Sequence, residues 1–253
     1  MLLVNNIVLV DRYYARLDTR SGGNMAAKLN IVLVHGAWAD GSQWRHIIPS
    51  LHALGHRVIA VQNPLTSLAD DVENTIKLTT TLYGPTLLVG HSYGGMVITQ
   101  VGHLQNVVGM VYLAAFAPDS GESLSSIFAL RKAAGAAYIR PDDNNFLWFD
   151  TEKFHENLCQ DIDENEALVM AVVQKPLAAR TFIDKSSQPA WRVKPCWYQI
   201  STEDRMLPVE TQREFAERIQ AQKVIELPSS HASHISHPQQ IIDLITDAAN
   251  AVR

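Results

Sequence analysis

Ser92 stands in Gly90-His91-Ser92-Tyr93-Gly94, after the apolar run Thr86–Val89 and before Met96-Val97-Ile98. A hydroxyl set among glycines where a strand gives way to a helix has the spacing of a G-x-S-x-G turn. Such a turn is too tight for flanking side chains, so it lifts the serine clear of the sheet. The helix behind it aims backbone N–H groups at developing negative charge. The bland alternative is a glycine-rich strand–helix turn with an idle serine. Serine is a weak nucleophile, so the chemistry needs a base and an acid to orient that base.

Both partners are sought after later strands. Thr202-Glu203-Asp204-Arg205 follows the run Cys196–Ser201 and offers a carboxylate; we take Asp204, although pattern alone does not separate it from Glu203. Three histidines, His231, His234 and His237, follow Lys223–Leu227 and precede Pro238. Their i, i+3, i+6 spacing also suits a metal-binding face, but that reading needs a fourth ligand, and Pro238 at a helix start leaves His231 upstream in a loop. We expect no metal; one histidine serves as base and the other two are solvated or capping residues. His35-Gly36-Ala37-Trp38 closes an earlier strand. Its loop can present the Ala37 N–H beside the Tyr93 N–H, the two donors that an acyl-transfer oxyanion needs.

The elements that must position these groups follow from the hydrophobic pattern. Asn30–Gly36, Arg57–Gln62, Thr86–Gly90 and Val107–Ala115 are short and apolar throughout. Helical stretches lie between them at 44–54, 68–82 and 96–104. Strands of this kind alternating with helices predict an α/β fold, a mostly parallel sheet covered on both faces. The rhythm breaks over residues 118–189, read as a helical block inserted after the fourth core strand. It resumes with Cys196–Ser201, a helix at 210–219, Lys223–Leu227 and a last helix at 238–251. The division is therefore an N-terminal extension (1–24), a core (25–117 and 190–253) and a helical cap (118–189).

Composition narrows the function classes. The chain has 253 residues, 47% of them hydrophobic, and a formal net charge of −5. That balance provides no basic field for nucleic acid or an anionic membrane. No apolar run approaches the roughly 18 residues of a membrane span. Two cysteines, Cys159 and Cys196, make no disulfide framework, and the first residues lack a basic n-region. The expectation is a cytoplasmic protein; oligomeric state is not readable.

With VLVHGAWADGSQW, LVGHSYGG, STEDRMLP and SHASHISHP in this order, the chain from about Leu29 onward resembles the α/β-hydrolases. It is most similar to the small-esterase branch that includes the plant hydroxynitrile lyases and methyl-salicylate esterases. The resemblance implies nucleophile Ser92, acid Asp204, base His231 and oxyanion donors Ala37 and Tyr93. In such esterases the catalytic histidine often stands seven positions before the proline that heads the final helix, as His231 does here. The cap is then expected to form the substrate pocket, with Trp38, Phe146, Trp148 and Phe149 as its apolar wall. The implied activity is hydrolysis of a small-molecule ester without a cofactor. The alternatives are a hydroxynitrile lyase, a cofactor-free perhydrolase and a non-catalytic ligand receptor on the same fold. In the lyases a lysine follows the catalytic histidine and a threonine follows the histidine ending the first strand. Here Ala232 and Gly36 occupy those positions, which favours hydrolysis.

Overall fold

A computed structural model of the protein describes residues 29–252; the extension expected at 1–24 lies outside the described residues. In chain order the elements are β1 (Asn30–Val34), α1 (Ile48–Ala53), β2 (Arg57–Ala60), α2 (Leu68–Thr80), β3 (Thr86–His91), α3 (Gly94–Val101), β4 (Val107–Leu113), α4 (Leu124–Leu130), β5 (Ile139–Pro141), β6 (Phe146–Phe149), α5 (Phe154–Leu158), α6 (Glu164–Val173), β7 (Leu177–Ala178), β8 (Cys196–Ser201), α7 (Val209–Arg218), β9 (Lys223–Leu227), α8 (Ser233–Ser236) and α9 (Pro238–Ala251).

Six strands form one sheet in the order β2-β1-β3-β4-β8-β9, and every neighbouring pair is parallel. Strand residues alternate between its two faces. Val32, Val34, Leu88, Met110, Tyr112 and Tyr198 join one core with the helix residues Met96, Val97 and Phe215. Ile31, Leu33, Leu87, Val89, Val111 and Trp197 join the other with Leu51, Ile241 and Ile245. This two-sided burial is why the strands read as continuous apolar runs. The order also puts the C-terminal ends of β1, β3, β8 and β9 along one rim, where such sheets bind ligands.

Between β4 and β8 the chain leaves the sheet. This insert carries α4, α5 and α6, and also a three-stranded antiparallel sheet in the order β5-β6-β7. Its apolar residues Phe149, Phe154, Leu158, Ala167 and Ala171 form a third cluster. Trp38, Met206 and Ala232, from the loops after β1, β8 and β9, and Ile235 from α8 complete that cluster. The insert therefore sits on the rim where the candidate residues lie. Among the described residues no helix is long and apolar enough to cross a membrane.

Candidate active site

The bend after β3 places Ser92 at φ 53°, in the left-handed region that L side chains rarely adopt. Such a residue costs about 1–3 kcal/mol and persists only where its surroundings over-determine it. They do so here. The Ser92 N–H donates to the Leu113 carbonyl at 3.2 Å, and the Ser92 carbonyl accepts from Gly95 N–H at 2.9 Å and Phe116 N–H at 3.1 Å. Adjacent Val89 and Ile98 are fully buried, each worth about 1.5–3 kcal/mol, so packing outweighs the strain. Gly94 follows from the same tightness: a Cβ there would lie 2.3 Å from the Val34 carbonyl oxygen.

His231 and Asp204 meet on the neighbouring rim. His231 Nδ1 lies 2.7 Å from Asp204 Oδ2, and the two side chains are 5% and 0% exposed. A carboxylate accepts, so Nδ1 is the donor in this bond and Nε2 is the ring nitrogen left outside it. Asp204 takes three further donors: Met206 N–H at 2.7 Å and Leu207 N–H at 2.9 Å on Oδ1, and Gln212 Nε2 at 2.9 Å on Oδ2. Glu203, the alternative acid, is exposed and pairs with no histidine among the described residues.

Of the other two histidines, His234 differs from expectation and His237, at the N-cap position of α9, does not. His234 is neither solvated nor capping: it is 1% exposed, with ring centroids 4.9 Å from Trp44 and 4.5 Å from His91. Among the described residues neither of its nitrogens has a partner, and burial pushes its pKa down to about 3. Its ring contacts are with Trp44, on the loop after β1, and with His91 at the end of β3. His237 is half-buried at the start of α9, its Nδ1 2.8 Å from Ser236 Oγ.

The residues expected as oxyanion donors flank the bend. Ala37 is half-buried beside Trp38, whose φ is 55°, and Tyr93 heads α3. Neither the Ala37 N–H nor the Tyr93 N–H meets an acceptor among the described residues. Gly36 packs directly on the elbow: a Cβ there would come within 2.9 Å of Ser92 Cβ and 3.2 Å of His91 Nδ1. The position has no room for a threonine.

The expected pocket wall divides. Trp38 and Phe149 are buried, with ring centroids 5.6 Å apart, and Trp38 Nε1 donates to the Leu147 carbonyl at 2.8 Å. Trp148 is the correction. It is 38% exposed and its Nε1 donates to Asp142 Oδ2 at 3.0 Å, because residues of β6 alternate in direction and 148 faces outward where 149 faces in. Phe146, two residues from Trp148 on the same strand, is half-buried and outside the third cluster.

Two buried groups at the elbow escaped the sequence reading. His91 Nε2 donates to the His231 carbonyl at 2.8 Å, and its pKa is driven well down by burial and then by His234 and His231. Asp71 on α2 accepts the Tyr93 hydroxyl on Oδ2 at 2.6 Å and the Leu65 N–H on Oδ1 at 2.8 Å. Burial pushes its carboxyl up to about 6. A signal for Asp71 was present. Asp71, Thr75 and Thr79 recur every four residues and are all fully buried, polar groups on a helix face that should be apolar.

The chain matches the alpha/beta hydrolase family over residues 31–244. It is 27% identical to salicylic acid-binding protein 2 of Nicotiana tabacum, across 87% of this chain and 97% of that protein. It is also 27% identical to methylesterase 3 of Arabidopsis thaliana, across 88% and 97%. Among solved structures, a pyrethroid hydrolase from Sphingobium faniae JZ-2 superposes with a TM-score of 0.77 at 23% identity, covering 89% of this chain and 98% of that one. From strand order to family match, these findings agree: the chain belongs to the alpha/beta hydrolase family.

Proposed function

We propose that the protein is a carboxylic ester hydrolase that acts through an acyl-enzyme on Ser92. The observation that carries this reading is the buried His231–Asp204 pair at 2.7 Å on the rim beside the elbow serine. His231 Nε2 takes the Ser92 proton as Oγ attacks the ester carbonyl. The oxyanion receives the Ala37 and Tyr93 N–H groups, and His231, its charge stabilised by Asp204, protonates the departing alcohol. Water then releases the acid by the same steps in reverse roles, and none of them calls on a cofactor. Residues 118–189 act as a cap over the core, with Trp38 and Phe149 on the substrate side.

The substrate class is small to medium carboxylic esters. Methyl esters come first, since relatives carry the name methylesterase. Two free, buried cysteines suit a reducing compartment, and we place the protein in the cytoplasm. Turnover of p-nitrophenyl esters from acetate to palmitate tests the reading. The expected result is hydrolysis that declines with acyl length and vanishes in Ser92→Ala. Turnover of no ester, or an unaffected Ser92→Ala, would overturn it.

A further inference from the structure

Two consecutive side chains of the insert reach the loops that carry the acid and the base. Gln160 Nε2 donates to the Glu203 carbonyl at 2.8 Å, one residue before Asp204. Asp161 Oδ2 accepts the Ser230 N–H at 2.9 Å, one residue before His231. The insert holds the acid loop twice more: Arg205 Nη1 donates to the Glu156 carbonyl at 2.8 Å, and the Gly135 N–H donates to the Arg205 carbonyl at 2.8 Å. The third apolar cluster joins the same parts, with Met206 from the acid loop, Ala232 from the base loop and Ile235 from α8 in one cluster with Phe154 and Leu158.

These polar contacts are costly ones to keep. Gln160 Oε1 and Asp161 Oδ1 are both buried without a partner among the described residues, at about 1–3 kcal/mol each. An insert that needed only to adhere would do so better through its apolar cluster. We propose that Gln160 and Asp161 are positioning residues for the Asp204–His231 pair, so that the insert sets the spacing of acid and base as well as covering the site. The proposal rests on the hydrolase reading above. The base loop is then fixed from both sides, by Asp161 through Ser230 N–H and by His91 through the His231 carbonyl. An insert lifted from the rim slackens the acid–base bond, and hydrolysis waits until it is seated.

The test uses the full chain with Asp161→Ala, Asp161→Asn and Gln160→Ala. Three quantities are measured: kinetics on p-nitrophenyl acetate, Tm, and the low-field proton resonance of the His231 Nδ1–H···Asp204 bond, identified by its absence in His231→Ala. Asp161→Ala is expected to lower kcat on the order of 10- to 100-fold with KM within about twofold, and to shift or broaden the resonance. Asp161→Asn keeps an acceptor for the Ser230 N–H and stays within about threefold of wild type. If Asp161→Ala does not fold, Gln160→Ala gives the same reading from the acid side. A lowered Tm with unchanged kcat and resonance overturns the proposal, as does an equal loss in Asn and Ala. A wild type that turns over no ester, with the resonance still shifted or broadened in Asp161→Ala, overturns the hydrolase reading and supports the positioning role.

Discussion

His231 and His234 are three residues apart and have opposite surroundings. One ring donates to a carboxylate through Nδ1; the other lies between Trp44 and His91 with both nitrogens unpartnered among the described residues and is neutral across the physiological range. Only the first has a partner that stabilises an imidazolium. We therefore expect His231→Ala to lose about 10⁴-fold or more in kcat on a short aryl ester, matched by Ser92→Ala because the two act as a unit. His234→Ala should stay within about tenfold, or ~1.4 kcal/mol. A dead His234→Ala beside an active His231→Ala would show that the wrong histidine has been assigned. Ala232 and Gly36 argue a second outcome. With no ammonium group after His231 and no space for a side chain at 36, a departing cyanide lacks its positive partner. Mandelonitrile should release no detectable cyanide beside ester turnover, and release at a comparable rate would sink the hydrolase reading.

At the scale of elements, the strand–elbow–helix unit is the least forgiving. The Val34 carbonyl that a Cβ at 94 would strike is backbone inside β1, so it has nowhere to move. Gly94→Ala should destabilise the protein by about 1–3 kcal/mol or more, read as a lower urea midpoint; an unchanged midpoint would mean that β1 and α3 can separate. This unit was also the most legible, because an apolar run, a glycine cluster and a helix start follow within a dozen residues. The core strands read directly for the same reason: burial on both faces leaves continuous apolar runs. The small sheet of the insert did not. Phe146–Phe149 is strand, but its partners are only three and two residues long, too short to show a period of two, and the surrounding helices set the local pattern. Within the site, the serine, acid and base stood on recognisable turns. Gln160 and Asp161 bond across chain separations that spacing does not encode, whereas the buried polar repeat of Asp71, Thr75 and Thr79 was there to be read.

For the whole molecule, buried neutral histidines set the acid limit. Burial lowers His35 to about 4 and His234 to about 3, and His91 falls well below its ordinary value. Unfolded, each titrates near 6.5. Between about pH 6.5 and 4 the unfolded chain therefore binds protons that the folded chain refuses, and stability falls as pH falls, by up to about 1.4 kcal/mol per pH unit for each histidine. Asp71 works the other way, since a carboxyl raised to about 6 is protonated first in the folded chain, but it is one group against three. Tm should drop from pH 7 to pH 5, less steeply in His234→Phe; a flat Tm would contradict this. The strand order carries a different consequence. β4 and β8 are hydrogen-bonded neighbours although the insert separates them in sequence, so their pairing, and not the peptide between them, joins the two halves of the sheet. The turn at 143–145 is exposed. Two polypeptides divided there would carry the serine on one piece and the acid and base on the other, each inert alone, with turnover returning on mixing as complementation.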